Sequence, residues 1–143
     1  MKNSVIADTG FWVALLNKDD AFHTQATAYL LGCRQTLVTT WPAITEVCYL
    51  LLSRRGMQAV RQFLDMGAQG YFVIVPLEVE QLQHAATLME KYADLPMDLA
   101  DASMVLLAEA LGHGRILSTD QRDFGCYRWK NRQPFENLLL PNV

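Results

Sequence analysis

One local arrangement recurs along this chain and limits what it can fold into. A short apolar run is followed, at its end or soon after, by an acidic residue and a helix-forming stretch. The first instance is a run over residues 5–7 that ends at Asp8 and leads into a short helix over 9–16, with Gly10 easing the turn. A second strand over 37–39 precedes Pro42, which suits the first turn of a helix reaching about Arg54 before Gly56 breaks it. A fourth strand over 115–118 is followed closely by Asp120. Between these lie helices over 22–31 (capped by Asp19 or Asp20 and stopped by Gly32), 57–66, 79–92 and from Asp98 or Leu99 to 111, with a third strand over 71–75. A fifth strand is expected near Tyr127.

Strands that alternate with helices and are apolar on both faces predict a three-layer α/β/α domain with a short, mostly parallel central sheet. At 143 residues, with 51% hydrophobic and 19% charged residues, the chain suits one domain (residues 1–143) with a real core. In such sheets the functional crevice lies beyond the carboxyl ends of the strands. That rule singles out Asp8, Asp101 near the start of the long apolar helix, Glu46 about one turn into its helix, and Asp120.

Each acid also has a plainer explanation. Asp8 can cap the helix at Thr9, Asp101 can answer the dipole of its helix, and Asp120 can be a turn residue. Glu46 is harder to dismiss, because residues 43–52 are otherwise largely apolar and a buried acid needs a partner. Gathered together, the four would repel one another. A hard divalent cation, Mg²⁺ or Mn²⁺, is the usual resolution, and a carboxylate-held metal in an open crevice can hydrolyse a phosphodiester.

Taken in order, Ile6-Ala7-Asp8-Thr9-Gly10, Thr45-Glu46-Val47, Asp98-Leu99-Ala100-Asp101-Ala102-Ser103 and Ile116-Leu117-Ser118-Thr119-Asp120 with Gln121-Arg122-Asp123-Phe124 resemble the four acidic motifs of PIN-domain nucleases, and especially the VapC-like toxin branch. No single motif is specific; their order, spacing and placement after strands are. The resemblance implies a sheet of about five strands, Mg²⁺- or Mn²⁺-dependent RNA cleavage, a homodimer and a small antitoxin. It places Asp8, Glu46, Asp101 and Asp120 in the catalytic, metal-holding cluster. Asp101 is preferred to Asp98, because Ala102 and the apolar run follow it as in the family. Asp120 is preferred to Asp123 for lying nearer the strand. Thr9 and Thr119 are expected to support the acids with their hydroxyls.

Outside the acids, Arg128, Trp129 and Lys130 interleave charge with an aromatic ring, and suit either RNA contact or a solvated sheet edge. Arg54 and Arg55 could also meet RNA, but cations at a helix C-terminus need no function. Trp12, Leu15, Leu16 and residues 49–52 read first as core, and second as a dimer or antitoxin interface. His23, His84 and His113 share no ligand spacing, and Cys33, Cys48 and Cys126 no zinc-ribbon or disulfide pattern, so a reducing cytoplasm is expected. No secretory leader or membrane span is read. The net charge of −3 excludes a broadly basic nucleic-acid coat. A receiver domain is disfavoured because Pro76-Leu77-Glu78 follows the third strand where its phosphoacceptor Asp belongs. A P-loop enzyme lacks its glycine-rich loop. The remaining alternative is a catalytically inactive PIN-like module that binds RNA or protein.

Overall fold

The computed structural model describes residues 2–140. Five parallel strands form the central sheet in the order β3-β2-β1-β4-β7: β1 Ser4–Ala7, β2 Thr36–Thr40, β3 Val73–Val75, β4 Arg115–Leu117 and β7 Glu136–Asn137. Period-two alternation divides the core between the two faces. Val5, Ala7, Leu37 and Leu117 pack with α1 (Thr9–Leu16), α3 (Trp41–Arg55) and α4 (Met57–Ala68). Ile6, Val38 and Ile116 pack with α5 (Leu82–Lys91) and α6 (Leu99–Leu111), the latter contributing an unbroken buried run from Ala102 to Ala108. The expected three-layer architecture is the observed one.

Several boundaries differ from the sequence reading for local reasons. The strand expected over 71–75 begins only at Val73, because Phe72 turns inward to stack on Phe63 at 5.2 Å and to meet Trp12 at 4.8 Å. The helix expected over 79–92 opens with a 3₁₀ turn, Val79–Gln81. Helix α2 (His23–Gly32) has Phe22, not an aspartate, at its N-cap; the Asp20 carboxylate instead accepts the Phe22 N–H in the preceding turn. Gly32 is its last residue rather than its stop.

The largest difference is at the C-terminal end. After α7 (Gln121–Cys126), the strand near Tyr127 is real: β5, Arg128–Trp129. It pairs antiparallel with β6, Gln133–Pro134, in a separate two-stranded ribbon. The fifth strand of the sheet is β7, whose Glu136 and Asn137 align with Arg115 and Ile116. Trp12 is fully buried, as the core reading required, whereas Tyr49 and Leu52 stay exposed on α3. Among the described residues no helix is long and apolar enough to cross a membrane.

Candidate active site

The register of the sheet brings the ends of β1 and β4 side by side. Ala7 aligns with Leu117, so the next residues, Asp8 and Ser118, are neighbours. Asp8 is buried, 6% exposed, and makes no side-chain cap bond to α1, which removes the plain capping explanation. The Ser118 hydroxyl donates to its Oδ2 at 3.0 Å. Burial drives the Asp8 carboxyl up to about 7; the Thr9 backbone N–H and Ser118 oppose the rise, and the charges of Glu46 and Asp120 add to it.

Glu46 reaches the same space from α3. Burial raises its pKa, the Thr9 hydroxyl pulls it down, and Asp98 adds to the rise. That hydroxyl is buried, faces Glu46, and has no hydrogen bond of ordinary geometry. The third motif proves to be a reciprocal pair. Asp98 caps α6 by accepting the Asp101 N–H at 2.8 Å, while Asp101 Oδ2 accepts the Asp98 N–H at 3.2 Å. Asp101 is pushed up to about 8 by burial first, then by the charges of Asp98 and Asp8. Both aspartates line the cavity; Asp101 faces Asp8, and Asp98 faces Glu46.

The fourth motif repeats this economy of acids at a helix start. Asp120 accepts the Asp123 N–H at 3.0 Å, and its own N–H donates to the Ser118 hydroxyl at 3.0 Å. Burial, and then Asp123, raise the Asp120 carboxyl. Asp123 is buried and lies 3.4 Å from the Arg122 guanidinium. Thr119 sits against Gly10, where a Cβ would collide with its hydroxyl, so a side chain at position 10 would force Thr119 to move.

The structure thus gathers Asp8, Thr9, Glu46, Asp98, Asp101, Thr119, Asp120 and Asp123 around one cavity of about 410 Å³. Two contributors escaped the sequence reading. Ser118, rather than Thr119, is the hydroxyl bonded to Asp8; the signal was the register of β1 against β4, which composition does not reveal. Tyr127, fully buried, donates its O–H to Pro96 O at 3.1 Å and so supports the turn that presents Asp98. Its phenol is pushed above the usual tyrosine range by burial, then by the charges of Asp101, Asp123 and Asp120.

Trp129 and Lys130 are not brought to this cavity. Trp129 lies on Gly114, before β4 begins, and donates its indole N–H to Pro134 O at 3.1 Å. The Lys130 N–H is held by Glu109, eight residues beyond Asp101 on α6 and therefore about 12 Å along its axis. Arg128 donates to Gly125 O and Tyr127 O, at 3.0 and 2.9 Å.

The cavity offers a donor set made of carboxylate and hydroxyl oxygens, the kind that hard divalent cations take. Among the described residues no three acidic side chains stand together at ligand spacing. Like charges separate, and Asp98, Asp101 and Asp120 are each occupied with a helix N–H.

The sequence model of the PIN domain matches residues 5–128. The chain is 27% identical over 124 residues to Ribonuclease VapC26 of Mycobacterium tuberculosis, covering 87% of this chain and 92% of that protein. Its fold is similar to the crystal structure of VapC20 of Mycobacterium tuberculosis, a toxin that cleaves the sarcin-ricin loop. The TM-score is 0.77 at 19% identity, covering 83% of this chain and 92% of the other.

Proposed function

This chain belongs to the PIN-domain family, and from that premise we propose that it is a metal-dependent endoribonuclease, the toxin of a toxin–antitoxin pair. One observation carries the reading: acids that follow β1 and β4 and begin α6 and α7, together with Glu46 of α3, line a single cavity. Two of them have proton affinities raised to near or above neutrality, the mark of carboxylates whose negative charge lacks compensation. The ribonuclease and the toxin that the chain resembles support the same chemistry.

Asp8 and Asp101 would be the principal holders of Mg²⁺ or Mn²⁺, and Glu46 and Asp120, which line the same cavity, would complete the set. Held there, such an ion would supply Lewis-acid chemistry, activation of water and stabilisation of charge on the phosphoryl oxygens. The chain's own contribution is positional. Ser118 fixes the Asp8 carboxylate while accepting the Asp120 N–H, so one hydroxyl sets the spacing of two acids. The Asp98–Asp101 bonds fix the angle at which α6 presents its acids. The buried Thr9 hydroxyl faces Glu46 and favours its charged form.

The exposed Trp41, Tyr49, Leu52 and Leu99 support a protein partner on this face, as a second copy of the chain or an antitoxin. We place the protein in the cytoplasm, in keeping with its three free cysteines. The test is cleavage of a panel of structured RNAs with and without Mg²⁺. Wild type should cut at least one RNA only with metal, and Asp8→Asn should cut none. Binding without cutting by wild type would instead identify an inactive PIN-like module.

A further inference from the structure

Resting on the ribonuclease reading, we propose that Arg54 is the residue that binds a substrate phosphate beside the cleavage position. Seven carboxylates line the cavity, Asp20 among them, and Arg54 is the one basic side chain among the described residues that line it. Glu46, Leu50 and Arg54, spaced by four residues, form a single stripe of α3 along the cavity wall. Its backbone therefore stands about 12 Å along the helix axis from that of Glu46, while its side chain lines the same cavity.

Its neighbour shows what a structural arginine looks like here. Arg55 donates to Asp19 at 2.9 Å and ties the end of α3 to the turn before α2. Arg54 has no such ion pair among the described residues and is exposed. An exposed guanidinium on the cavity wall, with no ion pair among the described residues, matches the planar, two-oxygen geometry of a phosphate. An RNA strand entering an acidic cavity also needs a positive contact outside the reacting centre, because the acids repel every phosphate except the one neutralised by a metal.

The test uses full-length protein carrying Asp8→Asn, which is expected to bind without cutting. Binding of a single-stranded oligoribonucleotide is measured across a salt series in Ca²⁺. Adding Arg54→Ala should weaken binding about tenfold at moderate salt. It should also flatten the plot of log affinity against log salt by about 0.7, the loss of one phosphate contact on a single strand. Arg54→Lys should keep the slope and recover part of the affinity, whereas Arg55→Ala should leave the slope unchanged. An unchanged slope and affinity in Arg54→Ala would overturn the assignment, as would an effect on Ca²⁺ affinity with RNA binding intact. Those results leave the ribonuclease reading standing; failure of the wild type to bind or cut any RNA removes both.

Discussion

Replacing Asp8 with asparagine should stabilise the metal-free protein. The Asp8 carboxyl titrates near 7 instead of its ordinary 3.8 because burial penalises its charged form. Three powers of ten in proton affinity correspond to about 4 kcal/mol. Between those two values the folded chain holds a proton that the unfolded chain has released, so wild-type stability falls as pH rises from 4 to 7. Above pH 8 the whole penalty is present; below pH 4 it is absent. Asparagine keeps the shape and an oxygen for the Ser118 hydroxyl, but it loses the stronger bonds that a charged acceptor makes. The net gain at pH 8 is therefore about 1–3 kcal/mol. In a chain of this length that raises Tm by roughly 3–9 °C. The assay is a set of thermal melts in EDTA from pH 4 to 8.5, repeated with Mg²⁺. The gap should be absent at pH 4 and widen through neutrality. Magnesium should then reverse the order by stabilising wild type alone. A variant that melts no higher than wild type at pH 8 in EDTA, with a parallel pH dependence, would refute the reasoning.

Three further outcomes follow from the site. Ser118→Ala removes the hydroxyl shared by Asp8 and the Asp120 N–H; it should cost about 1–3 kcal/mol in denaturant melts and move the rising limb of the activity–pH profile upward. Asp98→Asn should retain the α6 cap, since asparagine caps well, and reduce cleavage less than Asp101→Asn; the reverse order in initial rates would displace the third motif by one turn. Trp129→Ala should lower Tm by removing the ring packed on Gly114, while the salt dependence of RNA binding in the Arg128 and Lys130 variants stays that of wild type; a flatter slope would restore this segment to the RNA interface.

The strand–acid–helix units were legible because local signals and tertiary demand agree there. The apolar run before Asp8, Pro42 opening α3 and Gly56 ending it each act within a few residues. What stayed hidden depends on partners distant in sequence. β7 is Glu136-Asn137, two polar residues with no strand signature, made a strand by β4 beside them. Ser118 and Thr119 look alike in sequence, and the pairing of β1 with β4 decides which hydroxyl meets Asp8. The preference for Asp101 over Asp98 rested on the Ala102 and apolar run that follow it, which say nothing of how the two carboxylates bond to each other's backbone. The reciprocal bonds show each acid serving the helix end while lining the cavity.

The strand order carries a consequence for the time at which the site comes into existence. β1 is made first, but β4, which brings Ser118 beside Asp8, is more than a hundred residues away. Ser118 in turn is clasped by Asn137, whose side-chain amide donates to Ser118 O at 2.9 Å. A chain emerging from the ribosome therefore carries Asp8 and Glu46 long before anything holds them in working order. Assembly waits for residues 115–137, so fragments that stop short of β7 should be harmless to the RNA around them, including the ribosome still making them.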